Sequence, residues 1–294
     1  MMKTNTAMVY FNFRRLFLFL LPCFLISCQQ ELGLPEEDLI DGFTFQRKVE
    51  QGEKLGKLDL PEGTEVWKKD IKGGKQLKFF FPDGVKLLYK GEKGQLSSFA
   101  SIGYKGICTI EGGGCDVIFF RGKYGCLHTT CEGDCIGSFT SPGNEKLMNH
   151  EEMSFINPSL GISYVREQPI VKRRYQASSV LFELPEVASF VSNLQADLAE
   201  TQKAGQATAV ILLNIYGAEV AIEVPEMALL PIYMADAEDE TLADNPLIVV
   251  SDFSQINCLC HNGTRGILAK DQPKGWALCR SGSCSDCEMK VVNQ

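Results

Sequence analysis

Ten cysteines stand in two groups of five, and this grouping constrains the chain more than any other feature. The first group is Cys108, Cys115, Cys126, Cys131 and Cys135; the second is Cys258, Cys260, Cys279, Cys284 and Cys287. The first spans 28 residues and the second 30. Each ends in a Cys-x4-Cys step with a third cysteine close behind, so the chain reads as carrying one small unit twice. Around them stand Gly112-Gly113-Gly114 and a Ser/Gly-rich stretch near Cys284. Such stretches offer little apolar area to bury, and a unit of this kind needs cross-links or a metal to hold it.

At 294 residues, 45% hydrophobic and 22% charged, the chain has the composition of one or two folded domains. Its formal charge is -8, and removing the three cations of residues 1–27 deepens it to -11. That acidity argues against nucleic acid as a partner, because phosphate binding needs Lys and Arg. It also argues against broad electrostatic contact with anionic lipid. There are three histidines. No nucleophile elbow, phosphate-cradling loop or His-Glu-x-x-His is present. An enzyme is therefore not expected, and any chemistry would have to come from the cysteines.

The first 27 residues have the form of an export signal. Arg14-Arg15 precede an apolar run from Leu16 to Ile26, too short to span a bilayer but suited to a signal core. Arg14-Arg15-Leu16-Phe17-Leu18 resembles the twin-arginine motif, although the greasy Phe/Leu run favours an ordinary basic start. The run ends Leu25-Ile26-Ser27-Cys28, which resembles the lipobox of bacterial lipoproteins. That resemblance implies acylation of Cys28 as the new N-terminus and a place in the bacterial cell envelope, at the outer membrane. The partner would then be the membrane, through several acyl chains, since stable anchoring takes more than one.

The expected organisation is a signal at 1–27, an acidic tether at 28–41, a β-rich domain at 42–135 ending in the cysteine unit 108–135, an α+β middle at 136–257, and a second cysteine unit at 258–294. Phe79-Phe80-Phe81, Pro82-Asp83-Gly84 and Val85 to Tyr89 read as a β-hairpin, with Pro and Gly setting the turn. Pro185 to Ala204 reads as the one helix, with Val187, Phe190, Val191, Leu194 and Leu198 on one face and Gly205 to end it. Val180 to Phe182, Ala209 to Ile215 and Val220 to Val224 read as strands, with a turn at Gly217. Asp236, Glu238, Asp239, Glu240 and Asp244 read as a solvated loop, and Lys172-Arg173-Arg174 as an exposed strand edge. The fold class is thus α+β and β-rich, with small antiparallel sheets, one main helix over about 185–204, and two cysteine-rich loop units.

Three chemistries compete for those units. Disulfides suit an exported chain and need no cofactor. Zinc could take four cysteines per unit, although only Cys284 and Cys287 form the close pair usual for it. The third chemistry rests on a resemblance. Cys126-Leu127-His128-Thr129-Thr130-Cys131 and Cys258-Leu259-Cys260-His261 resemble the two boxes of the Rieske family. This implies a two-iron two-sulfur cluster held by Cys126, His128, Cys258 and His261, with Cys131 bridged to Cys260. In that family the boxes lie close together; here 126 residues separate Cys131 from Cys258. On the disulfide reading, five cysteines per unit is an odd number. Two bridges inside each unit and one between them, joining Cys115 to Cys260, would leave no thiol. The function expected is an envelope lipoprotein with a binding or structural role, its ligand unspecified. The alternative is a Rieske-like electron carrier.

Overall fold

The computed structural model describes residues 42–56, 58–71, 74–111, 113–144, 146–147, 153–166, 175, 177–261, 266–281 and 287–292. The expected signal, Cys28, the tether, His150, Lys172-Arg173-Arg174 and Cys284 lie outside them. Phe43–Gln294 form one compact unit.

The first half is built from strands β1 (Thr44–Lys48), β2 (Lys54–Leu55), β3 (Leu58–Asp59), β4 (Glu65–Ile71), β5 (Gly74–Phe80), β6 (Lys86–Lys90), β7 (Leu96–Phe99), β8 (Ser101–Cys108), β9 (Cys115–Phe120), β10 (Lys123–His128), β11 (Cys135–Thr140) and β12 (Lys146–Leu147). Ten of these make one sheet in the order β12-β11-β8-β5-β9-β10-β2-β3, with β4 and then β1 added beside β5. The period-two alternation of a strand puts Leu77 and Phe79 of β5 on one face, opposite Tyr104 and Ile102 of β8. These four side chains are buried together with Val66, Leu87, Phe139 and Phe155. Where β9 abuts the start of β5, a Cβ on Gly74 would lie 2.2 Å from the Cys115 carbonyl oxygen, so no other residue fits there.

The expected hairpin around Pro82 is half right. The turn is present, with Val85 N–H donating to the Pro82 carbonyl at 2.9 Å and Gly84 at φ 79°. Its two arms do not pair. β5 joins β4 and β8, while β6 pairs with β7 and with β13 (Met153–Ile156) in a separate three-stranded sheet. Local turn chemistry sets the reversal; burial of both arms against more distant strands sets the pairing.

The second half comprises β14 (Ile162–Tyr164), α1 (Pro185–Leu194), α2 (Leu198–Lys203), β15 (Thr208–Ile215), β16 (Ala218–Pro225), α3 (Leu230–Glu238), α4 (Glu240–Ala243), β17 (Val249–Val250), β18 (Ile256–Cys260), β19 (Gly266–Asp271), β20 (Trp276–Ser281) and β21 (Cys287–Val291). β14-β15-β16-β20-β19 form a sheet with β17 also on β15. Val187 and Val191 of α1 pack on one face of it, over Ile211, Leu213 and Val220. Val210, Leu212, Ala221 and Ala277 on the other face meet Phe253, Ile256 and Met289. Cover on both faces explains why β15 is apolar at nearly every position. Each such Leu or Ile contributes about 2 kcal/mol by leaving water.

Pro185 opens α1 and Gly205, at φ 64°, follows α2, as expected of the helix. The helix is nevertheless broken in two, because Asp197 adopts a left-handed conformation at φ 64°. Val180 to Phe182, expected as a strand, lies in the 3-10 turn Ser179–Glu183. The acidic run is partly helical, with Asp236 and Glu238 in α3, Glu240 opening α4, Asp239 extended between them and Asp244 in the turn beyond, and one of its members is not solvated. Asp236 takes a two-pronged ion pair from Arg166 at 2.7 and 2.8 Å, with both side chains nearly buried. Arg166 also donates to the Asn245 carbonyl at 3.1 Å. A carboxylate so placed answers a buried cation, which is why it departs from the ordinary reading of an acidic cluster.

Candidate functional site

The first cysteine unit is assembled by two ladders. Cys108 at the end of β8 stands directly opposite Cys135 at the start of β11, and Cys115 opposite His128 across β9 and β10. Disulfides then tie the ladders together: Cys108 to Cys131 with Cα atoms 5.6 Å apart, and Cys115 to Cys135 at 5.8 Å. Both spacings suit a bridge. Each closes a loop of about 20 residues, which stabilises by about 3 kcal/mol in the chain-entropy model. Cys126 remains a thiol. It donates to the Tyr104 hydroxyl at 3.6 Å, and burial pushes its pKa up. The thiolate, which is the nucleophilic form, is thereby disfavoured.

In the second unit Cys258 bridges Cys279, Cα atoms 5.6 Å apart, stapling the β18–β21 ribbon onto β20. Cys260 is disulfide-bonded as well. Cys287 stands opposite it across the ribbon, and its Sγ lies 3.4 Å from the Arg280 carbonyl. Four of the five cysteines of the first unit pair among themselves and the fifth is a thiol. The expected bridge from Cys115 to Cys260 is therefore absent, and Cys115 goes to Cys135 instead. An odd count leaves one thiol when the other four pair among themselves, and that thiol is the half-buried Cys126 against Tyr104.

These pairings also decide the fit of the ligand sets. Cys258 lies in a bridge to Cys279, and Cys131 is bonded to Cys108, not to Cys260. His261 Nε2 is 2.6 Å from Glu288, and His128 Nδ1 is 3.4 Å from the Cys131 carbonyl. The four residues Cys126, His128, Cys258 and His261 thus do not fit a two-iron cluster, since one has no thiolate to offer. The sulfurs of Cys108, Cys115 and Cys131 do gather within 4.8 Å of one another, as do ligand atoms of His128, Cys131 and Cys135. Bridged sulfurs lack the negative charge that zinc requires, so a metal there would need both bridges reduced first.

Away from the cysteines, the broken helix makes a cleft of about 410 Å3 against the turn between β19 and β20. Gln195, just before the break, donates from Nε2 to the carbonyls of Glu223, Lys274 and Gly275 at 3.0, 3.0 and 2.9 Å. Gly275 is left-handed at φ 63°, and a Cβ there would press within 2.8 Å of that amide. The back wall is Trp276 stacked on Phe182, ring centroids 4.7 Å apart. Trp276 is 8% exposed. Ser192, Gln202, Gln272 and Lys274 add a polar rim. No His, Cys, Asp or Glu lines the cleft, and its polar groups are the amides of Gln195, Gln202 and Gln272 with Ser192 and Lys274.

None of these cleft residues was singled out from sequence. The wall joins the turn before α1 to a strand more than 90 residues later, and no local pattern announces that meeting. A faint signal existed in Gln195 and Gln202, seven residues apart on what reads as one helix face. Among the described residues, no helix is long and apolar enough to cross a membrane. No family model, curated protein or solved structure matches the chain.

Proposed function

We propose that this chain is a bacterial envelope lipoprotein, held through acylated Cys28, whose folded body binds a small polar ligand in the cleft lined by Phe182 and Trp276. The observation that carries the reading is the pairing of most of the described cysteines as bridges within a chain headed by Leu25-Ile26-Ser27-Cys28. Such bridges persist in oxidising compartments such as the envelope and are rare in the cytosol, and the lipobox resemblance supplies the anchor. The cleft supports binding over catalysis because no His, Cys, Asp or Glu lines it. An outer-membrane site belongs to the same proposal.

The test is Cys28→Ala. Acyl labelling of the wild-type chain and loss of both label and membrane retention in the variant are expected. A variant retained in membranes as firmly as the wild type, with neither chain labelled, contradicts the reading. Iron content settles the electron-carrier alternative: protein from its native host should carry none, whereas about two irons per chain, lost in His128→Ala, would favour the Rieske reading instead.

A further inference from the structure

Helix α3 opens with Leu230-Pro231-Ile232-Tyr233-Met234-Ala235, apolar on every side, and a helix of that kind is ordinarily buried. Its one buried apolar side chain is Ile232, which packs into the core beside Leu229. Leu230, Tyr233 and Met234 stand at i, i+3 and i+4, on the side away from Ile232, and are 58%, 45% and 68% exposed. Met227, in the 3-10 turn Glu226–Leu229 that leads into the helix, is 76% exposed. Among the described residues, Met227 and Met234 are the two most exposed large apolar side chains. Single exposed side chains need no explanation; four at helical spacing do. The charge around this stripe has one sign. Residues 204–264 contain no Lys or Arg, and 226–244 hold six acids. Arg166 answers Asp236. Glu226, in the turn before the helix, and Glu238, four residues past Met234, are exposed at the two ends of the stripe.

We propose that the stripe of Met227, Leu230, Tyr233 and Met234 is a docking surface for a cationic amphipathic helix of another protein. Met227, Leu230 and Met234 fall at i, i+3 and i+7, the spacing by which one helix offers a ridge to another. Methionine is unbranched and adapts to what it meets, and Met and Tyr are enriched at the buried centres of interfaces. Charge then selects the occupant. A second copy docking stripe on stripe would set the same carboxylates against each other. An anionic bilayer would meet them with like charge. A helix with apolar residues on one side and Lys or Arg beside them covers the stripe and pairs with Glu226 and Glu238, while an acidic helix is repelled. Four side chains make less than a standard interface, so the contact forms and releases readily. The inference is independent of both the cleft and the lipid anchor.

The test mixes the protein as purified with a fluorescent peptide of Leu and Lys, patterned as an amphipathic helix and carrying a benzophenone on its apolar side. Binding should saturate, and it should weaken on the order of tenfold in Leu230→Ser with Met234→Ser. Glu226→Gln with Glu238→Gln should weaken it less, and high salt should do the same to the wild type. Illumination of the wild type should cross-link the peptide to Met227 or Met234, a readout that needs no variant. The same pattern built from Leu and Glu should not bind. Cross-links that map elsewhere overturn the proposal, as does binding undiminished in the Leu230→Ser, Met234→Ser variant. A Leu/Glu peptide that binds as tightly as the Leu/Lys one overturns the cationic partner. So does self-association, or binding to phosphatidylglycerol vesicles, that is lost with Leu230 and Met234, since either result gives the stripe to a different occupant.

Discussion

The two cysteine units look alike in sequence and are used differently. In the first, bridges join two ladders of one sheet, and several apolar side chains nearby are in view: Ile107 and Ile136 stand opposite each other and are exposed, and Ile110 and Leu127 are exposed too. In the second, Cys258–Cys279 fastens a two-stranded ribbon over a sheet already covered on its other face by α1. The same spacing therefore does structural service of two kinds. In one place the cross-links replace a core; in the other they pin a lid onto one. Spacing alone could not tell these apart, because the difference lies in what the neighbouring strands bury.

The largest effect expected follows from that difference. Removing both bridges of the first unit by replacing Cys108, Cys115, Cys131 and Cys135 with Ser should open residues 108–135 to hydrogen exchange and lower stability by several kcal/mol, about 3 for each loop. β15 and β16 should stay protected. Removing Cys258–Cys279 should cost about as much in loop entropy yet expose mainly β18 and β21. Equal loss of protection in β15 from both sets would erase the distinction.

A smaller effect sharpens the picture of the second half. Arg166→Ala leaves Asp236 without its buried partner and should destabilise by on the order of 2 kcal/mol. Arg166 holds the Asp236 carboxyl below its usual range, mainly through the hydrogen bonds between them. A carboxyl depressed in the folded state contributes stability above its unfolded value near 3.9, and that contribution is lost as pH falls through the folded value. The wild type should thus lose this increment only in acid, and Arg166→Ala should show a flatter acid limb in urea melts read at successive pH values.

The smallest concerns Cys126. Its half-buried position and its raised pKa predict that iodoacetamide at neutral pH labels it slowly in the native protein and faster once urea is added. Prompt native labelling would mean that the first unit opens more readily than its bridges allow.

Some of this was legible in the residues. The Pro185 start, the Gly205 stop and the hairpin at Gly217 are set by local backbone chemistry, and each is where that chemistry puts it. The strand-rich fold with a main helix followed from the same signals. What escaped was decided at a distance. β5 left its expected partner for β4 and β8, Asp236 answered an arginine 70 residues away, and the cleft arose where a helix break met a remote turn. Cysteine connectivity belongs with these. It follows from a register, Cys135 opposite Cys108, that no spacing reveals.

The central claim is the anchor at Cys28, and the intact mass of the protein extracted from native membranes tests it most directly. The account predicts a chain that starts at Cys28 and is heavier than its residues by several acyl groups. A chain cleaved elsewhere with an unmodified amino terminus, or one that leaves membranes in the soluble fraction at its bare polypeptide mass, would contradict it.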